Sequence, residues 1–234
     1  MAADCNPSSS APALPRYLLR LDGLLRGEPA AREGRSLRDL FACILLFGFL
    51  YGGIMGTYGG VRGDRLLQVL YGGMKVPLLL LVTFVLSLPS FWVLNTLLGL
   101  AADFSDVLRA LVSAQAALTL VLASLAPFTV VWYASTDAYH ASILFNAAMF
   151  AAATFAAQSL LRRSYRPLIA QNPTHRWMLR LWVLIYAFVG IQMGWVLRPF
   201  LGHPDAPVQF FRSDSWGNAY EVVGRMVWEA VMRR

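Results

Sequence analysis

Polar side chains that interrupt apolar stretches are the positions at which this chain could support chemistry or transport. They carry hydroxyl or amide groups, and they are Thr83, Asn95, Gln115, Asn146, Gln158 and Gln192. Such groups are costly to bury in hydrocarbon unless they form hydrogen bonds. Four of them fall on four different predicted helices, and with the chain's single lysine they form a candidate polar passage made of Lys75, Asn95, Gln115, Asn146 and Gln192.

Each of these residues also has a structural interpretation. The amides could fix a helix bundle through interhelical hydrogen bonds, which typically contribute less than about 1 kcal/mol each. Lys75 stands just before Pro77 and could be an intramembrane cation with a function. Its side chain could instead extend from a helix end towards the lipid headgroups. The sequence leaves these interpretations open.

No arrangement typical of an enzyme active site or a metal centre occurs in the sequence. The histidines have no second ligand at helical spacing, and they are His140, His175 and His203. Phosphate-binding, nucleophile-elbow and dinucleotide-binding motifs are absent. The carboxylates nearest to the apolar stretches fall at predicted helix ends or turns, and they are Asp103, Asp106 and Asp137. We therefore predict a non-enzymatic protein that binds no cofactor and no metal ion.

The composition is that of a membrane protein. Of 234 residues, 57% are hydrophobic and only 14% are charged, and the mean hydropathy is +0.53. An ordinary soluble domain is about 25% charged, so we predict an integral membrane protein. The net charge of +7 comes mainly from arginines at the ends of apolar segments, which argues against nucleic acid as a partner.

Hydropathy and turn residues predict an all-α integral membrane fold, a five-transmembrane-helix bundle with an amphipathic helix near each terminus. Ser36 is predicted to cap the first span, Ser105 to cap the third, and Pro127 to end it. The strongly basic stretch after the fourth span is predicted to be a loop. The predicted spans are 37–58, 76–99, 105–126, 139–161 and 178–196.

Arginine positions predict the orientation of the bundle. The tail before the first span and the loop after the fourth are rich in arginine, whereas the third loop holds one charged residue, Asp137. The positive-inside rule then places the N-terminus in the cytoplasm and the C-terminus outside, in what we expect to be a bacterial inner membrane. The chain accordingly divides into a cytoplasmic tail with a short basic amphipathic helix, a transmembrane domain and an extracytoplasmic segment with an amphipathic helix, over residues 1–36, 37–200 and 201–234.

Small residues at helical spacing predict close contacts between helices. Glycines recur at four-residue steps in and after the first span and again in the fifth, and they are Gly48, Gly52, Gly56 and Gly60, then Gly190 and Gly194. Small side chains on one face allow the backbone of another helix to approach. The spacing does not distinguish a contact within the chain from one between two copies. The fourth span is rich in alanine, which also favours packing against a neighbour.

Two stretches of sequence resemble bacterial multipass membrane proteins. The first runs from Lys75-Val-Pro through Leu88-Pro-Ser to Asn95-Thr-Leu-Leu-Gly, and the second is Gly190-Ile-Gln-Met-Gly-Trp-Val-Leu-Arg-Pro-Phe200 followed by Gln209-Phe-Phe-Arg212. Over roughly residues 40–215 the chain resembles the Yip1-like family and an uncharacterised bacterial membrane family. The resemblance implies a non-enzymatic protein of membrane organisation or trafficking, with no catalytic residues to transfer.

We expect the protein to work by association in the lipid bilayer, as a subunit or scaffold of a membrane assembly or as a homo-oligomer. The candidate partner surface follows the fifth span and combines aromatic and arginine side chains of the kind that anchor interfaces, namely Arg198, Phe200, Phe210, Phe211, Arg212 and Trp216. The same aromatic residues could instead seal the outer end of the bundle. The alternative function is a channel or transporter that uses the candidate polar passage.

Overall fold

A computed structural model describes residues 36–63, 65–202, 207–211, 220–221 and 228. They contain five long helices and two 3₁₀ turns, and no strand occurs among them. We number the long helices α1 to α5, and their bounds are Leu37–Gly56, Arg65–Leu97, Phe104–Ser135, Tyr139–Gln171 and Thr174–Val196. Each is long and apolar enough to cross a membrane, so the prediction of five such helices is confirmed. The amphipathic helix predicted within 1–36 lies outside the described residues.

One of the two predicted serine caps is present. The Ser36 Oγ accepts a hydrogen bond of 3.3 Å from the backbone N–H of Arg38, which satisfies one of the unpaired donors at the start of α1. The prediction for Ser105 is wrong. A 3₁₀ turn over Ala101–Asp103 leads directly into α3, so Ser105 lies inside the first helical turn.

The third and fourth helices are longer than predicted. α3 continues past Pro127 to Ser135, because one missing backbone donor does not stop a helix whose other groups remain bonded and packed. α4 continues through Pro167 to Gln171, so most of the basic stretch after the fourth apolar segment is helix and not loop. Arginine is a good helix former, and the helix therefore extends beyond the apolar residues that revealed it.

The second helix joins two segments that differ in sequence character. α2 has 33 residues, and it includes both the amphipathic stretch 65–74 and the apolar span that follows. At about 1.5 Å of rise per residue it is roughly 50 Å long, whereas the hydrocarbon core of a bilayer is about 30 Å thick. Pro77 and Pro89 both lie within it.

The helices do not pack in chain order. α1 has extensive contacts with α2 and α3, α3 packs on α4, and α2 packs on α5, whereas α2 and α3 hardly touch. The spatial order is therefore α5, α2, α1, α3, α4. α4 and α5 stand at the two ends of this series, and they contact one another over a short stretch only. This arrangement leaves a cleft between α4 and α5.

Glycines allow direct backbone contact between α1 and α2. A Cβ atom at Gly52 would overlap the carbonyl group of Gly72, and one at Gly56 would lie 2.6 Å from the carbonyl oxygen of Gln68. A Cβ atom at Gly48 would be 3.4 Å from Pro77. These three glycines of the first span therefore serve a contact within the chain.

The other glycines of the predicted pattern have different surroundings. Gly60 lies beyond the end of α1, with a φ of +98° and no neighbouring atom within 4 Å of its Cβ position. It therefore provides a left-handed backbone conformation in the turn between α1 and α2. A Cβ atom at Gly190 would approach Thr83 Cγ2 at 3.5 Å, and one at Gly194 would have no neighbour within 4 Å.

The two ends of the bundle differ in charge. We call the end at which α1, α3 and α5 begin and α2 and α4 finish the arginine-rich end; its basic residues are Arg38, Arg109, Arg162, Arg163, Arg166, Arg176 and Arg180. We call the opposite one the Pro199 end. The apolar core has one cluster nearer each end, with Phe91 and Trp182 in the first and Tyr51 and Leu201 in the second.

Candidate functional site

Lys75 is the most unusual residue of the candidate polar passage. Its side chain is fully buried in α2 (0% exposed), although lysine is rarely buried unless it is paired. The ammonium group donates a hydrogen bond of 2.6 Å to the carbonyl oxygen of Pro199 and lies 5.0 Å from the centre of the Phe210 ring. It therefore binds the segment that follows α5 and does not extend to the lipid headgroups.

The segment after α5 is held against the bundle at three successive carbonyl groups. In addition to the Lys75 bond to Pro199, the Gln68 amide donates to the carbonyl of Phe200 at 3.4 Å. The Tyr139 hydroxyl donates to the carbonyl of Leu201 at 3.5 Å. Because these donors come from α2 and α4, the segment bridges two helices that are not neighbours in the bundle.

Asn146 is the centre of a closed hydrogen-bond network. Its Oδ1 accepts from the Tyr51 hydroxyl at 3.2 Å, and its Nδ2 donates to the Tyr133 hydroxyl and to the Ser142 carbonyl, both at 2.7 Å. The Thr129 hydroxyl donates to Tyr51 at 3.5 Å. The network joins α1, α3 and α4, so the polar atoms of these side chains are bonded to one another across three helices.

The five residues of the candidate polar passage are not brought together. Lys75 and Asn95 lie about 30 Å apart along α2, at opposite ends of the bundle. The Asn95 amide donates to Phe91 in its own helix at 3.2 Å. Gln115 and Asn146 line two different cavities, and Gln192, which is half-buried in α5, lines neither of them.

The first cavity lies between α4 and the segment after α5, at the Pro199 end. It has a volume of about 370 Å³, and apart from Asn146 and Arg198 its walls are mainly apolar. The Arg198 guanidinium stacks on the Trp195 ring at 3.4 Å from the ring centre. Two residues that line this first cavity, Leu79 and Phe150, also line a second cavity.

The second cavity occupies the cleft between α4 and α5, with α2 and α3 behind it. Its volume is about 460 Å³, and no residue that lines it carries a charge. Three buried polar atoms of the lining have no hydrogen-bond partner among the described residues, and they are Thr83 Oγ1, Gln115 Oε1 and Tyr186 Oη. We call these three residues the cleft triad. The Gln115 side chain lies beside the Tyr186 hydroxyl without reaching hydrogen-bond geometry.

Sequence reasoning missed part of the cleft triad. Thr83 is one of the polar residues within the apolar stretches but is not part of the candidate passage, and no sequence prediction singles out Tyr186. A signal was nevertheless present, because Trp182, Tyr186 and Gly190 recur at four-residue steps along α5 and all three line the cleft. Gln115, which lies opposite this face, is on α3, so no pattern within α5 could have indicated that the two meet.

Most of the described residues of the candidate partner surface pack against the bundle. Phe200 contacts the core cluster at the Pro199 end, and Phe210 packs edge-to-face on Tyr71 with ring centres 5.2 Å apart. Among the described members of the set, Phe211 is the most exposed, at 41%. Arg212 and Trp216 lie outside the described residues. This arrangement corresponds to the second interpretation of these aromatic residues, in which they cover one end of the bundle.

The arginine-rich end contains a pair of titratable residues that the sequence placed separately. Buried His175, in the first turn of α5, lies with its Nε2 at 3.0 Å from Oδ2 of Asp103, which ends the 3₁₀ turn before α3. The pair joins the start of α5 to the 3₁₀ turn before α3, at the same end of the bundle. Within the described part of the chain, no group of three or more His, Cys, Asp or Glu residues could hold a metal ion.

No protein-family model, curated protein or solved structure matches the chain. The resemblance to Yip1-like proteins therefore stays a prediction.

Proposed function

We propose that the chain is a non-enzymatic integral membrane protein that works by association, as a subunit or scaffold of a membrane assembly or as a homo-oligomer. The observation that carries the proposal is a face of α4 made of Ala148, Ala152 and Ala156. These residues follow one another at four-residue steps, and all three are exposed. Small residues at this spacing are typical of surfaces at which helices pack closely in membranes.

The contrast with α1 supports this interpretation. The small-residue face of α1 is covered by α2 through direct backbone contact at Gly52. The corresponding face of α4 has no helix against it among the described residues. Only 22% of the most apolar stretch of α4 is buried, and 11% of that of α5, compared with 50% for α3. The outer helices thus have the most surface for contacts with another subunit.

The orientation is part of the same proposal. The arginine-rich end faces the cytoplasm, because the positive-inside rule applies to short loops and helix ends of this kind. The Pro199 end, with the segment that covers it, then faces the outside of a bacterial inner membrane. A channel function has less support, since the candidate passage residues line separate cavities or bond within the bundle.

Mass measurement after mild detergent extraction tests the proposal. We expect the wild-type protein to have the mass of two or more chains of 25.9 kDa each, or to carry a second protein in fixed ratio. The double variant Ala148→Leu with Ala152→Leu should fall to the mass of the monomer, because bulky side chains prevent close approach of a partner helix.

Ser124→Leu is the matched control, since Ser124 is an exposed small residue on α3. This variant should keep the mass of the wild-type complex. A wild-type protein that is monomeric and free of partners would contradict the proposal, and so would an Ala148/Ala152 double variant that assembles normally.

A further inference from the structure

The cleft between α4 and α5 contains more unsatisfied polar groups than a packing defect explains. Thr83 is 1% exposed and Gln115 is 8% exposed, yet neither Thr83 Oγ1 nor Gln115 Oε1 has a hydrogen-bond partner among the described residues. The same holds for Tyr186 Oη. A buried polar group without a partner costs about 1–3 kcal/mol, and three of them in one cavity indicate that something else supplies their partners.

Other hydroxyl groups on the same helices form hydrogen bonds with backbone carbonyl groups of their own helix. Ser87, one turn from Thr83 on α2, donates to the Thr83 carbonyl at 2.7 Å. On α3, Thr119 donates to the carbonyl of Ala116 at 2.9 Å. Back-bonding of this kind is the usual solution for a hydroxyl in a helix. The Thr83 hydroxyl does not adopt it, so it is available to a molecule in the cleft.

The chemistry of the lining defines the class of ligand. Every lining residue is uncharged and most are apolar, so an ion would lose its hydration without compensation. Gln115 Oε1 can only accept a hydrogen bond, whereas the hydroxyls of Thr83 and Tyr186 can donate one. A hydroxyl group on the ligand meets both needs, because it donates to the glutamine and accepts from a neighbour.

The position of the cleft defines the route of entry. α4 and α5 contact each other over a short stretch only, and residues of the cavity lining on both helices are exposed, with Thr154 on α4 and Ile191 (56% exposed) on α5. In a bilayer such an opening faces the acyl chains and not water. The cleft shares Leu79 and Phe150 with the cavity at the Pro199 end, so the two mainly apolar cavities lie next to each other along α4.

We propose that this cleft is a binding site for an uncharged lipid whose polar group is a hydroxyl, of the diacylglycerol class. The hydroxyl lies among Thr83, Gln115 and Tyr186, and the acyl chains lie against the apolar walls and leave between α4 and α5. The volume of about 460 Å³ is within the range of about 300–1,000 Å³ typical of small-molecule sites. The site is on a different face of α4 from the exposed alanines, so it is independent of the proposed association.

Native mass spectrometry of the full chain with three added lipids tests the site. We expect one dioleoylglycerol to bind, its methyl ether to bind about tenfold more weakly, and dioleoyl phosphatidic acid to bind more weakly still. The ether lacks the donor that Gln115 requires, and the acid brings a charge into an uncharged cavity. Equal binding of dioleoylglycerol and its ether would overturn the proposal, because it would show filling by acyl chains alone.

The double variant Thr83→Val with Tyr186→Phe provides a second test, because we expect it to weaken lipid binding without lowering stability. It should bind dioleoylglycerol about tenfold more weakly, yet without lipid it should unfold at the same or a higher temperature than the wild type, since it removes unpartnered polar atoms. Thr96→Val, on the exposed side of α2, is the matched control and should bind normally. A lipid-free double variant that is strongly destabilised would overturn the proposal, since the hydroxyls would then have structural partners; unchanged lipid binding would do the same.

Discussion

The backbones of Gly52 and Gly72 lie in direct contact between α1 and α2. A Cβ atom on either residue would overlap the carbonyl oxygen of the other. One turn further along α1, a Cβ atom at Gly56 would lie 2.6 Å from the carbonyl oxygen of Gln68 and 2.6 Å from Cα of Val69. Backbone atoms cannot rotate away as a side chain can, so the packing of α1 on α2 depends on glycine at these positions.

Gly52→Ala is expected to lower the free energy of unfolding by about 1–3 kcal/mol, because α1 and α2 must separate to admit the methyl group. Denaturation in mixed micelles, followed by circular dichroism, measures the change. The matched control is Gly194→Ala in α5, where a Cβ atom has no neighbour within 4 Å. It should be neutral or stabilising by up to about 1 kcal/mol. Equal losses in the two variants would contradict the role of the contact.

The hydrogen bond between Tyr51 and Asn146 predicts that substitutions of these two residues are energetically coupled. Tyr51→Phe and Asn146→Leu should each destabilise the bundle, because each leaves partners of the other helices unsatisfied. The combined variant should lose less than the sum of the two, by about 0.6–1.7 kcal/mol. A double-mutant cycle measured by the same denaturation gives this coupling free energy. Strict additivity would show that the bond between the two side chains adds nothing to stability.

Lys75 should control the local order of the segment after α5 more than the stability of the whole bundle. Lys75→Met removes the donor to the Pro199 carbonyl and also a buried charge, and these two effects oppose each other in the free energy of unfolding. Amide hydrogen exchange in peptides that cover 199–201 should become about tenfold faster, because a charge-assisted bond that held the segment is lost.

Thr96→Val is the reference for this exchange measurement, since the Thr96 hydroxyl bonds only to its own helix, at the Trp92 carbonyl. Exchange over 199–201 should be unchanged in this variant. If Lys75→Met also left the exchange of the segment unchanged, the lysine would not be what holds it.

Some features of the fold follow from short-range patterns. The apolar segments gave the number of long helices, because hydropathy over about twenty residues decides whether a helix can cross a bilayer. The four-residue glycine spacing in the first span marked the face that contacts α2. The predicted helix ends were less accurate. Pro127 and the arginines near the end of α4 mark where the apolar sequence ends, but the helices continue past these residues.

The cavities could not be predicted in the same way. Gln115 and Tyr186 are 71 positions apart in the sequence, on α3 and α5 respectively, and they meet only because the bundle places its helices out of chain order. His175 and Asp103 were separately assigned to a loop and a helix end. Their contact at 3.0 Å depends on how the bundle brings the start of α5 beside the turn before α3.

The sequence by itself determined the all-helical class of the fold, the number of long helices among the described residues and the glycine face of the first, because each depends on residues that are close together in the sequence. The tertiary structure alone decided which polar groups are satisfied. Lys75 and Asn146 found partners on other elements, whereas the cleft triad did not. Hydrogen bonding needs atoms about 3 Å apart, and that proximity between distant parts of the chain is set by the packing of whole helices.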